Sequence, residues 1–303
     1  MDLVDRYGGL IDDIEAFRAA IQRPLPTVVR HNPIKSTIDQ TLAGLREEGI
    51  DVNQREWNAR TLELAVEKPG RNWAYYQGWI HGQEEISQVP ATMLDVERGD
   101  TVFDVAAAPG GKATQLAALV RGDGGCVVAN DVNLGRLAAL RSNADRLGVD
   151  NLIVTNQNAR TYSTKHIDVE MFDAALVDAP CTGEGTVRKN PDAGTVATVD
   201  ERTEMARIQC DILERAIELT KPGGTVVYST CTLAPEENEG VLSRVLDETD
   251  TRVEPVDVGL HSVPGVSRWE ATAYHPHVEN AHRFYPHLND TGGFFCAKLR
   301  VNR

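Results

Sequence analysis

The sequence predicts an α/β protein: a mostly parallel sheet, covered by helices on both faces, over residues 91–303, preceded by a smaller α+β unit over residues 1–90. Three observations predict it. From Gly99 onward, short apolar runs alternate with amphipathic segments, the pattern of strands buried on both faces and joined by crossover helices. The first run, TVFDV, ends in a proline-glycine turn, Pro109-Gly110-Gly111, that opens a helix-prone stretch, KATQLAALV. The chain is also long enough, at 303 residues, for roughly two domains with a sizeable core.

Taken in order, residues 3–22 read as one helix, stopped by Pro24 and Pro26. TVVRHNPIK reads as a strand, and 36–48 as a helix with Ser36 or Thr37 as its cap and Gly49 as its end. DVNQREW follows as a strand. The aromatic segment holding Trp73, Tyr75, Tyr76 and Trp79 is expected to pack at the domain junction, with base stacking as the weaker alternative. In the larger unit, strands are predicted at 101–106, 125–130, 151–156, 172–178 and 224–230, with helices at 134–147, closed by Gly148, and at about 200–220. A further helix is predicted to open at Pro235, with Glu236 and Glu237 in its first turn. GGFFCAKLRV forms a last strand.

Asp plus Glu number 45 against 31 Lys plus Arg, of which only 7 are lysine, and the net charge is -14. Such a surface repels phosphate and argues against nucleic acid. It also resembles proteins of salt-loving organisms, where concentrated salt screens acidic surfaces, so bulk charge decides little about partners. No basic and apolar leader and no apolar run of ~20 residues is present, which predicts a cytoplasmic protein without a membrane span. The five cysteines form no C-x-x-C pair, and the C-terminal histidines His261, His275, His277, His282 and His287 are irregularly spaced, so no metal is expected.

The glycine turn exposes backbone amides at the carboxyl end of a parallel strand, where open α/β sheets bind ligands. Asp131 ends the second strand 20 residues after Gly111, the place from which a carboxylate reaches ribose hydroxyls. The turn is AAPGGK rather than G-x-G-x-x-G, which favours an adenosine-type cofactor other than a dinucleotide. Cys181, in Asp178-Ala-Pro-Cys181, and Cys231, in Ser229-Thr-Cys231, lie just past the ends of neighbouring strands on the same edge. One such cysteine is ordinarily core filler; two around one crevice point to a nucleophile.

At these residues the chain resembles the Sun-type RNA (cytosine-5)-methyltransferases. The shared stretches are VVRHNPIK, GWIHGQEEISQVPATMLD, AAAPGGK, NDVNLGRLAAL, VDAPCTGEGTVRKNPD, STCTLAPEENEGV and HRFYPHLNDTGGFFCAKL. The resemblance implies a Rossmann-like class I methyltransferase domain with a seven-stranded, mostly parallel sheet and an N-terminal substrate domain. It implies a monomer that takes S-adenosylmethionine and RNA, transfer or ribosomal. With the acidic composition, it suggests a halophilic archaeal source. By position, Ala107, Ala108, Pro109, Gly110, Gly111, Lys112, Ala113, Asp131, Arg136, Asn158 and Asp178 would hold the cofactor. Asp178 and Lys112 would sit in the active centre, Cys231 would be the nucleophile and Cys181 would help release product. Arg283 and His287 would lie near the substrate cleft. Asn158 stands where the family usually has an acidic residue, so a weaker adenine contact is expected. The competing readings are a catalytically silent RNA-binding or ribosome-assembly factor and an amino-group methyltransferase, neither of which needs two strand-end cysteines.

Overall fold

A computed structural model of the chain describes residues 2–302. The N-terminal unit holds a four-stranded antiparallel sheet of β1 (Val28–His31), β2 (Val52–Gln54), β3 (Thr61–Leu64) and β4 (Ile80–Gly82), in the order β2-β3-β1-β4. The helix Ile38–Glu47 covers it, and Val29, Leu45, Leu62 and Ile80 form their shared core. Thr37 caps that helix through the Gln40 amide, and Gly49 follows its end with a φ of +74°. The predicted helix 3–22 is instead two, Leu3–Tyr7 and Ile14–Ile21. Gly8 and Gly9 lower the helical preference between them, and Asp13 starts the second by accepting the Ala16 amide. Both helices leave the small sheet and pack through Leu3, Tyr7 and Phe17 on Leu233 and Tyr285.

The large sheet contains β5 (Thr101–Asp104), β6 (Cys126–Asn130), β7 (Leu152–Thr155), β8 (Phe172–Asp178), β9 (Thr220–Thr230), β10 (Thr251–Glu254), β11 (Val263–Pro264), β14 (His282–Phe284) and β15 (Phe294–Val301). The short pair β12 (Arg268–Trp269) and β13 (Thr272–Ala273) stands apart. The order is β11-β14-β15-β9-β8-β5-β6-β7, with β10 beside β15. Strands β5 to β9 run parallel, and β10, β11, β14 and β15 pair antiparallel. Among the described residues the expected seven strands are thus nine, because β10 and β11 add to the edge region.

The predicted helix at Pro235 begins later, at Glu239–Glu248. Residues 235–238 form turns instead, because Glu237 is buried and accepts from the Thr182 amide at 3.0 Å and the Gln209 amide at 2.8 Å. From β5 the chain moves outward to β6 and β7, then returns to β8 on the other side of β5. That reversal opens a crevice beyond the carboxyl ends of β5 and β8, where a ligand can sit between the diverging connections.

Candidate active site

The turn after β5 is built around Gly110, whose φ of +105° and ψ of 6° suit glycine. A Cβ there would stand 3.3 Å from the Leu140 Cα, a tight contact that would push on the neighbouring helix as well. Gly110 leads directly into the helix Gly111–Val120, whose first amides face the crevice without a side-chain cap. Asp131, buried at the end of β6, holds the turn from behind: it accepts the Ala108 amide at 3.2 Å and the Asn133 amide at 2.8 Å. Arg136 pairs with Asp131 at 3.2 Å and donates to the Ala108 carbonyl oxygen. Asn158 is exposed, and its side-chain oxygen accepts the Arg160 amide at 3.1 Å, leaving one lone pair free.

A cavity of about 320 Å³ fills the crevice. Ala107, Ala108, Pro109, Gly111, Lys112, Asp178 and Cys231 line it, together with His81, Glu84, Asp104 and Lys189. Gly110 and Ala113 lie behind this wall, and Asp131, Arg136 and Asn158 fall outside the lining. Lys112 donates to Asp178 Oδ2 at 2.7 Å, while Ser229, its parallel neighbour on β9, donates to Asp178 Oδ1 at 2.8 Å. Burial opposes the charge on Lys112, but Asp178 more than offsets it and raises the ammonium above its ordinary range. Lys112 is therefore a fixed cation in the cavity wall.

The two strand-end cysteines meet. Cys181 Sγ and Cys231 Sγ are 3.3 Å apart, and Cys231 alone of the two lines the cavity. The hydrogen bond between them separates their acidities. Cys231 is lowered chiefly because Cys181 can donate to its thiolate, with Lys112 adding attraction, while Cys181 is raised by that same contact and by burial. Cys231 ionises first and Cys181 keeps its proton.

Asp104 is a site residue that the sequence reading did not single out. It ends β5, is 1% exposed, and its carboxylate has no side-chain hydrogen-bond donor among the described residues, only the Ala106 backbone amide easing its charge. Burial first, then repulsion from Asp178, pushes its pKa up to about 8. The available signal was a carboxylate closing an otherwise apolar strand at the switch point. Two further expectations need correction. Arg283 is buried in a two-pronged pair with Glu239, at 2.6 and 2.5 Å, and His287 pairs with Asp12 at 2.8 Å; neither lines the cavity. Both residues hold elements together, because each already has a carboxylate partner away from the cleft.

Among the described residues no group of three or more His, Cys, Asp and Glu is placed to hold a metal, and no helix is long and apolar enough to cross a membrane. S-adenosylmethionine, by contrast, suits the site. Its ammonium and sulfonium charges match the buried Asp104, which has no side-chain donor among the described residues, and its carboxylate matches the bare amides after Gly110.

A family model described as 16S rRNA methyltransferase RsmB/F matches residues 91–300. The chain belongs to this family. Among the relatives of the chain, a tRNA (cytosine(49)-C(5))-methyltransferase of Pyrococcus abyssi is 34% identical over 99% of the chain and 96% of that protein. A ribosomal RNA small subunit methyltransferase F of Vibrio parahaemolyticus is 35% identical over 95% of the chain; the chain spans only 59% of that relative. The crystal structure of a methyltransferase homolog from Pyrococcus horikoshii, 35% identical, superposes with a TM-score of 0.80 over 94% of this chain and 90% of the other. The chain has the class I methyltransferase fold and is an S-adenosylmethionine-dependent RNA methyltransferase.

Proposed function

We propose that the enzyme methylates carbon 5 of a cytosine in tRNA, using Cys231 as a covalent nucleophile. The observation that carries this reading is the 3.3 Å pairing of Cys181 with a cavity-facing Cys231 beside the Lys112–Asp178 pair. Support for tRNA comes from the Pyrococcus abyssi relative, which matches over nearly the whole of both chains.

Carbon 5 of cytosine is a poor nucleophile. Addition of the Cys231 thiolate at carbon 6 places electron density on carbon 5, dividing one difficult step into two easier ones. As that density arrives, ring nitrogen 3 takes up a proton that Asp178 would donate, and Lys112 keeps Asp178 oriented and balances the carboxylate left behind. S-adenosylmethionine supplies an electrophilic methyl group on a sulfonium. Once carbon 5 carries the methyl group, its proton passes to solvent water and the electrons of that C–H bond form the carbon 5–carbon 6 double bond. The carbon 6–sulfur bond breaks so that Cys231 departs as thiolate, while ring nitrogen 3 returns its proton to Asp178. Cys181 assists this last step by donating its hydrogen bond to the departing sulfur. The base must enter unstacked, since the nucleophile lies inside the cavity. Asp104 and the amides after Gly110 would hold the cofactor, with Asp131 and Asn158 on its adenosine side.

The test is methylation of purified tRNA and, separately, small-subunit rRNA, mapped by bisulfite sequencing. Protected cytosines in tRNA are expected. Protection in rRNA alone would change the substrate, and protection in neither would overturn cytosine chemistry.

A further inference from the structure

The aromatic segment before β4 divides into two pairs with opposite environments. Tyr75 and Trp79 pack against the core of the small sheet, as expected of a domain junction. Trp73 and Tyr76 do not: they are 58% and 66% exposed. They occupy positions i and i+3 of the helix Trp73–Tyr76, which places them side by side on its outer face while Ala74 is buried beneath.

We infer that Trp73 and Tyr76 form a stacking platform for unpaired bases of the substrate RNA next to the target cytosine. The inference rests on the RNA-methylating activity of the family. The platform is held in place from three sides. Asn72 caps the helix by accepting the Tyr75 amide at 2.8 Å and donates to the Pro69 carbonyl at 2.7 Å. Glu48 accepts the Trp73 amide with both oxygens at 3.0 Å. Arg146 lies 3.9 Å from the Tyr75 ring centre and donates to the Tyr75 carbonyl at 2.7 Å. Two large exposed aromatics on so fixed a support are preorganised for planar partners, and bases offer a planar face whatever their sequence.

Charge around the platform fits a phosphate backbone. Lys68 and Arg71, just before the helix, and Lys35, in contact range of Gly148, form no ion pair among the described residues. Lys68 and Arg71 are exposed cations within a few residues of the two exposed aromatics. The nearby Glu48 is already engaged by the Trp73 amide, and Glu67 is the remaining carboxylate of this segment.

The platform also connects to the cavity. Arg146 donates to His81 Nδ1 at 2.9 Å, and His81 lines the cavity wall. His81 lies five positions beyond Tyr76, a reach of roughly 18 Å at most even for extended chain. Bases on the platform would therefore lie within a few nucleotides of the one entering the cavity.

The test is steady-state methylation of tRNA by Trp73→Ala, Tyr76→Ala and the double variant, beside Trp73→Phe. Each alanine variant is expected to raise the KM for tRNA on the order of ten-fold, the loss of one base stack. The value of kcat and the affinity for S-adenosylmethionine should stay within two-fold of wild type, and Trp73→Phe should restore most of the KM. As a second readout, single-stranded oligocytidylate should quench tryptophan emission of the wild type, and that quenching should disappear in Trp73→Phe. A double variant with wild-type KM and unchanged quenching in Trp73→Phe would remove the platform while leaving methylation intact. A wild-type enzyme that methylates no RNA would instead defeat the reading on which the platform rests.

Discussion

Cys231 and Cys181 share one hydrogen bond, yet the geometry gives them opposite parts, so their substitution should give opposite phenotypes. Cys231→Ala should yield neither methylated RNA nor covalent complex. Cys181→Ala still allows addition and methyl transfer but slows breakdown, and should accumulate a protein–RNA species that survives denaturing electrophoresis. An adduct in the first variant and none in the second would exchange the roles. Asp104 carries a separate prediction. Its pKa is about 8 in the folded chain against ~4 for an unperturbed Asp, so folding takes up a proton between those values. Stability contributed by this group is thus lost as pH rises from ~4 to ~8, and the full cost is felt above that. Asp104→Asn should show a shallower fall in melting temperature between pH 5 and 9. A cationic ligand favours ionised Asp104, so calorimetry of the wild type at pH 7 in two buffers of different ionisation enthalpy should show close to one proton released per S-adenosylmethionine bound. No release in wild type, or equal release in Asp104→Asn, would separate Asp104 from the cofactor.

At the scale of elements, the turn into the helix Gly111–Val120 is where sequence and structure agree most closely in physical terms. Gly110→Ala places a side chain at a φ of +105° and against Leu140, and should lower stability by roughly 1 to 3 kcal/mol in denaturant melts, with weaker cofactor binding. Asp131→Ala would strip the Ala108 and Asn133 amides of their acceptor. Cofactor affinity should fall by roughly 1.5 to 3 kcal/mol, the range for bonds to a charged group, and unchanged affinity would place the adenosine elsewhere. Parallel strands such as β8 were legible because both faces are buried, so their apolar runs stand out whatever lies around them. The helix start near Pro235 was not legible, because Glu237 looks like a favourable first-turn carboxylate but is committed to Thr182 and Gln209 from distant segments. Asp104 was overlooked for a related reason: a carboxylate ending a strand is ordinary until β8 brings Asp178 and burial to it. The exposure of Trp73 and Tyr76 depends on which face of a four-residue helix meets the core, and no periodicity can be read over so short a stretch.

Across the whole molecule, an excess of fourteen negative charges must be reconciled with a polyanionic substrate. The carboxylates repel one another, and screening relieves that repulsion, so the melting temperature should rise with KCl toward molar concentrations. A flat or falling curve would mean that the acidic surface is not adapted to salt. The same screening weakens attraction between phosphates and the few available cations, so binding must draw on something that salt does not erode. Stacking on Trp73 and Tyr76 is such a contribution, as is insertion of the target base into the cavity. If Lys35, Lys68 and Arg71 supply the phosphate contacts for a single-stranded segment, three neutralised phosphates give a slope near -2 for the logarithm of affinity against the logarithm of salt. A binding series in KCl, read by fluorescence anisotropy of labelled tRNA, checks this. A slope near -2 or shallower is expected, and it should stay unchanged in the Trp73→Ala, Tyr76→Ala double variant while affinity drops at every salt concentration. A slope several times steeper would show that a broad cationic surface elsewhere on the chain carries the RNA.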